Sequence, residues 1–122
     1  MHKFKKLKIW QESIKLVKNI YELTKSFPQE ELFGLTSQLR RATVSINLNI
    51  AEGSASKSDM EFRRFLIMSL KSVYEVVAIL EIAKELNYIQ DDNLKQLMID
   101  INNIGAMVNA LINKLSNKKS NS

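Results

Sequence analysis

The chain has 122 residues, 45% of them apolar and 25% charged, with 18 Lys+Arg against 13 Asp+Glu and a formal net charge of +5. This length and composition predict one folded domain, since two domains would each lack an adequate core. The absence of cysteine excludes disulfides, thiolate metal sites and cysteine nucleophiles, and the single histidine, His2, is a poor candidate for a catalytic triad. We therefore expect a protein that is not an enzyme and that needs no metal or cofactor.

No stretch of the sequence resembles a membrane span, which takes about 20 predominantly apolar residues. The longest run without a charged residue covers positions 101–113 and is interrupted by asparagines. A chain without cysteine also fits a reducing compartment. We expect a cytoplasmic protein that has no membrane partner.

Apolar residues recur every three or four positions along most of the chain, which is the spacing of amphipathic helices. The pattern predicts a single domain, 1–122, with helices at about 8–26, 30–53, 58–86 and 91–116 and flexible basic termini at 1–7 and 117–122. Four helices joined by short connections are typical of an up-down-up-down antiparallel four-helix bundle. The expected fold class is therefore all-α.

The first two predicted helices each carry one continuous apolar stripe. In the first helix the stripe runs from Trp10 to Tyr21, and we interpret Trp10 as a packing anchor rather than a stacking platform. In the second helix the stripe runs from Leu35 to Ile50. Gly53 is expected to end this helix, because glycine readily adopts the left-handed conformation of a helix stop.

The third and fourth predicted helices have a start signal and a packing seam, respectively. Ser58 and Glu61 form a capping-box pattern, in which each side chain bonds the backbone N–H of the other residue. The fourth helix keeps an unbroken three-four apolar spacing from Leu94 to Leu115, with Gly105 inside it. That spacing is typical of the seam of a helical bundle.

The third helix is apolar over more than one face. Within residues 65–83 only Lys71, Glu75 and Glu81 are charged, and a helix that is apolar on most sides is buried on most sides. We expect the surplus surface to pack against another subunit of a cyclic homo-oligomer, with a monomer of apolar surface as the alternative. The expected interface residues are Ile67, Val77, Ile79 and Ile82.

Antiparallel topology concentrates positive charge at one end of the predicted bundle, where the chain start, the second turn and the end of the fourth helix meet. Ten cationic residues fall there against Glu52, Asp59 and Glu61, whereas the opposite end is acidic. The ten are Lys3, Lys5, Lys6, Lys8, Lys57, Arg63, Arg64, Lys114, Lys118 and Lys119. Such an end fits binding of nucleic-acid phosphates, and it equally fits solvated tails that aid solubility. Phe4 is the only aromatic residue among the N-terminal lysines, so base stacking has little support.

The segment QLRRATVSINLNIAEG places polar residues in an otherwise buried second helix. Arg40 and Arg41 fit a phosphate-binding pair, because guanidinium forks match phosphate oxygens. They fit equally well a set of inter-helix contacts to glutamates. For Asn49 and Glu52, hydrogen bonds between helices or subunits are the favoured interpretation.

The blocks FP-x-x-E-x-x-GL, QLRRA and NIAEG occur in this order, followed by S-x-x-E-F-x-x-F-L and LEIAKELNYI. Over about residues 7–90 they make the chain similar to the bacterial four-helix-bundle family, also known as the 23S rRNA intervening-sequence proteins. The residues that match the family pattern are Gln38, Arg40, Arg41, Asn49, Glu52, Gly53, Ser58, Glu61, Phe62, Ser72 and Glu75. Asn47 stands where the family usually has proline, so a kink in the second helix is less expected here.

The resemblance implies a bundle assembled into a ring, typically a pentamer, and an association with 23S rRNA or the ribosome. Accessory proteins of diversity-generating retroelements are similar in fold, and they bind nucleic acid and a reverse transcriptase as basic pentameric barrels. The first functional hypothesis is therefore an oligomer that binds structured ribosomal RNA through its basic end. The second is a protein-interaction scaffold with a reverse transcriptase or another protein as partner, and the third is a structural oligomer without a ligand. The residues expected to bind nucleic acid are Lys3, Lys5, Lys6, Lys8, Arg40, Arg41, Lys57, Arg63, Arg64, Lys118 and Lys119.

Overall fold

The computed structural model describes residues 2–120, and for residues 117–120 it describes the backbone alone. This part of the chain forms four α-helices and two 3-10 turns, at Lys3–Lys6 and Gln29–Glu31, and contains no β-strand. The helices are α1 (Lys8–Thr24), α2 (Leu35–Ser54), α3 (Asp59–Glu85) and α4 (Asp91–Ser120). The all-α fold expected from the sequence is confirmed for the described residues, and α4 continues past its predicted limit at residue 116.

Each helix packs against two others, so that α1 and α3 both lie between α2 and α4. This is the arrangement of a four-helix bundle, in which the apolar stripes of all helices meet along the central axis. The fully buried side chains include Leu16, Ile20, Leu39, Ile46, Ile50, Leu66, Leu80, Ile101, Ile104 and Val108. Within the described ranges, no helix has both the length and the apolar composition that crossing a membrane would require.

The packing of α2 against α3 is the most extensive helix–helix contact, and it depends on small residues. A Cβ atom added to Gly53 would lie 2.8 Å from Phe62 Cδ1 and 2.8 Å from Phe65 Cβ. Further along the contact, the Ser69 hydroxyl donates to the Ile46 carbonyl oxygen at 2.9 Å. The two helices approach this closely because residue 53 has no side chain and residue 69 has a small one.

The sequence predicted that Gly53 ends α2 in the left-handed conformation. The structure shows that it does not. The helix continues through Ser54, and no described glycine has a positive φ. The glycine is needed inside the helix, where α3 comes closest. Asn47, which replaces the family's proline, is buried and donates from Nδ2 to Ser13 Oγ at 3.0 Å, so α2 is one continuous helix joined to α1 by a side-chain hydrogen bond.

Both ends of α3 are closed by local hydrogen bonds. Ser58 Oγ accepts the backbone N–H of Glu61 at 3.1 Å, which confirms one half of the predicted capping box. At the other end Asn87 has a φ of 63°, and the N–H of Tyr88 donates to the Ala83 carbonyl oxygen at 2.9 Å. This is a Schellman motif with asparagine in the position that glycine usually takes.

The Glu31 carboxylate joins three parts of the chain at the end of the bundle opposite the N-terminus. Residues 29–31 form a 3-10 turn, so α2 begins at Leu35 rather than at the predicted residue 30. Glu31 Oε1 accepts the backbone N–H of Leu35 at 3.1 Å, and Oε2 accepts the Tyr88 hydroxyl at 2.9 Å. The hydrogen bond to this carboxylate raises the pKa of the Tyr88 phenol above its usual value. One side chain thus caps α2 and ties the α1–α2 connection to the α3–α4 connection.

The N-terminal segment, which the sequence predicted to be flexible, contains a short turn before α1. Lys3–Lys6 forms a 3-10 turn that folds the chain back on itself before α1. The Phe4 ring packs against Trp10 with ring centroids 4.9 Å apart, and Leu7 packs against the core. The turn therefore fixes the position of the N-terminal lysines relative to the bundle.

The outer surface of α3 exposes large apolar side chains, which agrees with the apolar surplus seen in its sequence. These are Met68, Tyr74 and Ile82, exposed by 43%, 68% and 49%. Ile67 and Val77 are partly buried against the core of the protomer. Ile79 is only 5% exposed, so its expected place on a subunit interface is corrected: it belongs to the core of the protomer.

Replacing Gly53 with alanine is expected to lower the free energy of unfolding by about 1–3 kcal/mol, because the new methyl group would overlap Phe62 and Phe65. Urea-induced unfolding followed by circular dichroism measures this change. Gly105→Ala is the matched control, since its Cβ would meet Val73 Cγ1 at an ordinary 3.5 Å and alanine favours helix by up to about 1 kcal/mol. Equal destabilisation by both substitutions would contradict the close-contact explanation.

Candidate nucleic-acid interface

Three separate segments of the chain meet at one end of the bundle, which we call the basic end (residues 2–10, 52–64 and 111–116). Lys3 in the N-terminal turn lines one groove together with Ser54, and a second groove together with Lys57 and Ser58. The last turns of α4 reach the same end because α4 runs antiparallel to α3 and packs along it. The structure thus brings together segments that lie far apart in the sequence.

The basic end carries an excess of positive charge in the described residues. Its cationic side chains are Lys3, Lys5, Lys6, Lys8, Lys57, Arg63, Arg64 and Lys114. All eight are exposed except Arg63, which is half-buried. The basic end also contains three acidic residues, Glu52, Asp59 and Glu61. Eight cations and three anions leave five positive charges in excess. This local excess equals the net charge of the whole chain, so the remainder of the molecule is neutral overall.

Two of these cations have a close side-chain neighbour within their own helix. Lys8 Nζ lies 3.6 Å from the Glu12 carboxylate, so its charge is partly compensated from the next turn of α1. Arg64 Nη2 lies 4.0 Å from the Met60 sulfur, a weak contact that leaves the guanidinium exposed. Within the described ranges, no three His, Asp or Glu side chains are grouped to hold a metal ion. The predicted binding residues Lys118 and Lys119 lie outside the residues whose side chains are described.

Two buried N–H groups at the basic end have no acceptor within the protein. They are the indole Nε1 of Trp10 and the Nε of Arg63. In the described part of the chain, no other buried side-chain nitrogen or oxygen lacks a hydrogen-bond partner. Buried donors are almost always hydrogen-bonded in native proteins. Both atoms are enclosed by the protein, so a ligand on the surface does not reach them without a rearrangement.

Arg40 lies away from the basic end and is engaged inside the protein. Its Nε donates to Thr24 Oγ1 at 2.8 Å and its Nη2 to the Tyr21 carbonyl oxygen at 3.4 Å. The guanidinium carbon lies 4.6 Å from the centroid of the Tyr21 ring, in cation–π geometry. These contacts make Arg40 a link between α1 and α2 whose partners are a hydroxyl, a carbonyl and a ring rather than glutamates, and phosphate binding by Arg40 stays a prediction.

Arg41 is exposed. It borders a shallow groove of about 420 Å³ along α2, together with Tyr21, Leu48 and Glu52. The Arg40 guanidinium lies over the Tyr21 ring, so the two arginines border one common residue. The phosphate-binding pair stays a prediction.

The other polar residues of α2 divide between packing and surface positions. Asn49 Nδ2 donates to the Ser45 carbonyl and hydroxyl oxygens at 2.9 and 3.1 Å, and the Ser72 hydroxyl donates to the Ser45 hydroxyl at 2.9 Å. Asn49 is thus linked to α3 through Ser45, rather than directly as expected. Glu52 is exposed and makes no inter-helix hydrogen bond in the structure; it borders a cavity beside the N-terminal turn.

An aromatic cluster at the basic end was missed by the sequence analysis. The His2 and Phe4 rings stack with centroids 5.7 Å apart and planes 23° apart, and the Phe4 and Trp10 rings meet at 4.9 Å and 58°. Phe4 seemed isolated in the sequence because six positions separate it from Trp10. The 3-10 turn between them, which no periodic pattern indicates, brings the rings into contact.

Comparisons with known proteins agree on the family and the fold. The family model described as 23S rRNA-intervening sequence protein matches residues 5–110. Among solved structures, the chain is similar to a protein of unknown function from the S23 ribosomal protein family of Bacteroides thetaiotaomicron, with a TM-score of 0.80 and 24% identity, covering 85% of this chain and 97% of that chain. At this identity the similarity shows a shared fold. The comparison with curated proteins gave no significant match.

Arg40→Ala is expected to lower the free energy of unfolding by about 1–2 kcal/mol, because it removes charge-assisted hydrogen bonds to α1. Arg41→Ala is the matched control, since the neighbouring side chain is exposed and its loss is expected to change stability by less than about 0.5 kcal/mol. Urea-induced unfolding of both variants measures the difference. A stable Arg40→Ala protein would show that the contacts with Thr24 and Tyr21 do not hold α1 to α2.

Proposed function

Because the chain belongs to the 23S rRNA-intervening sequence protein family, we propose that it is a non-enzymatic RNA-binding protein that contacts structured RNA, above all ribosomal RNA, through its basic end. The observation that carries this proposal is the convergence of eight described cationic side chains from three chain segments on one surface. The family description favours RNA over other polyanions.

The charge distribution of the basic end suits a phosphate backbone. Lysine and arginine side chains that neutralise phosphates release condensed counterions, and this release supplies much of the affinity of sequence-independent nucleic-acid binding. Seven of the eight cations are exposed, so they reach a ligand without rearrangement of the core. Seven of the eight lie on the 3-10 turn or on an α-helix, which limits the backbone conformational entropy lost on binding.

We further propose that the protein acts as a cyclic homo-oligomer, in line with the ring that the family resemblance implies. The support is the set of large apolar side chains that α3 exposes, Met68, Tyr74 and Ile82, since apolar side chains exposed beyond the needs of a monomer mark interaction sites. A ring with parallel bundle axes would repeat the basic end around one face. Several copies of the surface would then contact one folded RNA, which raises the apparent affinity through effective concentration.

Reversing three cations at the basic end, Lys5→Glu, Lys6→Glu and Arg64→Glu, is expected to abolish most RNA binding. The loss of three phosphate contacts lowers the slope of log K against log salt by about two to three. The measurement is fluorescence anisotropy of nuclease-treated protein with a labelled rRNA stem-loop and a matched DNA duplex across a salt series.

The matched control for this experiment reverses Lys25, Lys84 and Lys95, three exposed cations at the opposite end, and so changes the net charge equally. We expect this control variant to retain most of its affinity for RNA. Equal losses in the two triple variants would show a general charge effect, and absence of binding in the wild-type protein at low salt would overturn the proposed function.

Ile82→Glu is expected to dissociate the oligomer, because it places a charge within the apolar outer surface of α3. Size-exclusion chromatography with light scattering gives the mass, which is expected to fall from a multiple of 14.0 kDa to that of one chain. Ile99→Glu, at a 54% exposed position on α4, is the control that should leave the mass unchanged. A wild-type protein of monomer mass would contradict the proposed assembly.

A further inference from the structure

A cavity of about 470 Å³ lies between the N-terminal turn and the last turns of α2. Its lining residues are His2, Lys3, Phe4, Ala51, Glu52, Ser54 and Ala55. The volume falls within the range of small-ligand pockets, about 300–1,000 Å³. Two aromatic rings, two alanines, one cation and one carboxylate give the cavity apolar walls with a few polar groups, which is the usual composition of such pockets.

The aromatic part of the cavity is held in place by packing. The Phe4 ring contacts His2, whose ring is stacked at 5.7 Å, and Trp10, whose ring is tilted at 4.9 Å. Trp10 itself packs against the hydrophobic core. The exposed His2 ring, supported by Phe4, is therefore the aromatic surface at the wall of the cavity that can stack with a planar ligand.

The polar part of the cavity can distinguish between planar ligands. Glu52 is exposed, has no ion-pair partner in the structure and offers two carboxylate oxygens as acceptors. A guanine base presents two adjacent N–H donors on its Watson–Crick edge, whereas uracil presents one N–H between two carbonyl oxygens that a carboxylate repels. Base edges of this kind are read by side chains wherever RNA bases are unpaired.

From these observations we infer that the cavity binds one unpaired nucleobase of a structured RNA, stacked on the aromatic pair of His2 and Phe4 and recognised on its edge by Glu52, with guanine as the best match. This inference rests on the proposed RNA-binding function and adds to it a site that reads a base. Lys3 lines both this cavity and an adjoining groove of about 290 Å³ that also contains Lys57. The two lysines would hold the phosphates on either side of the inserted base.

The test compares RNA hairpins that differ at one position: a bulged guanosine, a bulged uridine, or no bulge. Wild-type protein is expected to bind the bulged-guanosine hairpin about tenfold more tightly than the hairpin without a bulge, the typical gain from stacking one base on an aromatic ring. Trp10 is the only tryptophan of the chain and touches Phe4, so its fluorescence should change with the bulged guanosine alone.

Phe4→Leu keeps an apolar side chain and removes the ring, and it is expected to abolish the tenfold preference while leaving binding to the unbulged hairpin and its salt dependence unchanged. Glu52→Gln should reduce the discrimination between guanosine and uridine without changing the fold. Phe33→Ala, at a 93% exposed aromatic near the opposite end, is the matched control and should behave as wild type. Circular dichroism and thermal unfolding verify that each variant is folded.

The outcomes separate the two proposals. If the protein binds all three hairpins equally and Phe4→Leu changes nothing, the base site is wrong while the basic-end function stands. If Phe4→Leu weakens binding to the unbulged hairpin as much as to the bulged one, Phe4 acts only by supporting the N-terminal turn, and the inference is overturned. If none of the hairpins binds, the proposed function itself fails.

Discussion

The close packing of α2 against α3 determines where the basic end of this protein lies. Gly53 leaves no room for a side chain between the helices, and Ser69 and Ser72 bond across to α2 at 2.9 Å. These contacts fix the register of the two helices and therefore the position of the connection between them. Because the N-terminal turn packs beside that connection, Lys3 and Lys57 line the same groove.

Collecting like charges at one end of a small domain works against stability, since the cations repel one another. The repulsion is tolerated because most of these side chains are exposed to water, where charges are strongly screened. A polyanion bound at the same surface would turn the repulsion into attraction.

Much of the fold could be predicted from the sequence, because each helix has a strong three-four apolar period. The failures occurred where a residue's role depends on its neighbours in space. Gly53 suggested a helix stop and proved to be a contact point inside α2, because sequence does not reveal which helix approaches it. Arg40 fitted phosphate binding and inter-helix contacts equally, and its partner in α1 is Thr24 rather than a glutamate. The Phe4–Trp10 contact was missed because a 3-10 turn has no hydrophobic period, whereas the clustering of lysines followed from antiparallel topology alone.

The most direct test of the central claim, that the basic end is the RNA-binding surface, is ultraviolet cross-linking of the wild-type protein to a structured rRNA fragment, with the linked peptides identified by mass spectrometry. We predict cross-links within residues 2–10 and 55–64, since these segments carry the exposed cations and the aromatic cluster. Cross-links confined to residues 28–36 or 82–95, at the opposite end, would contradict it.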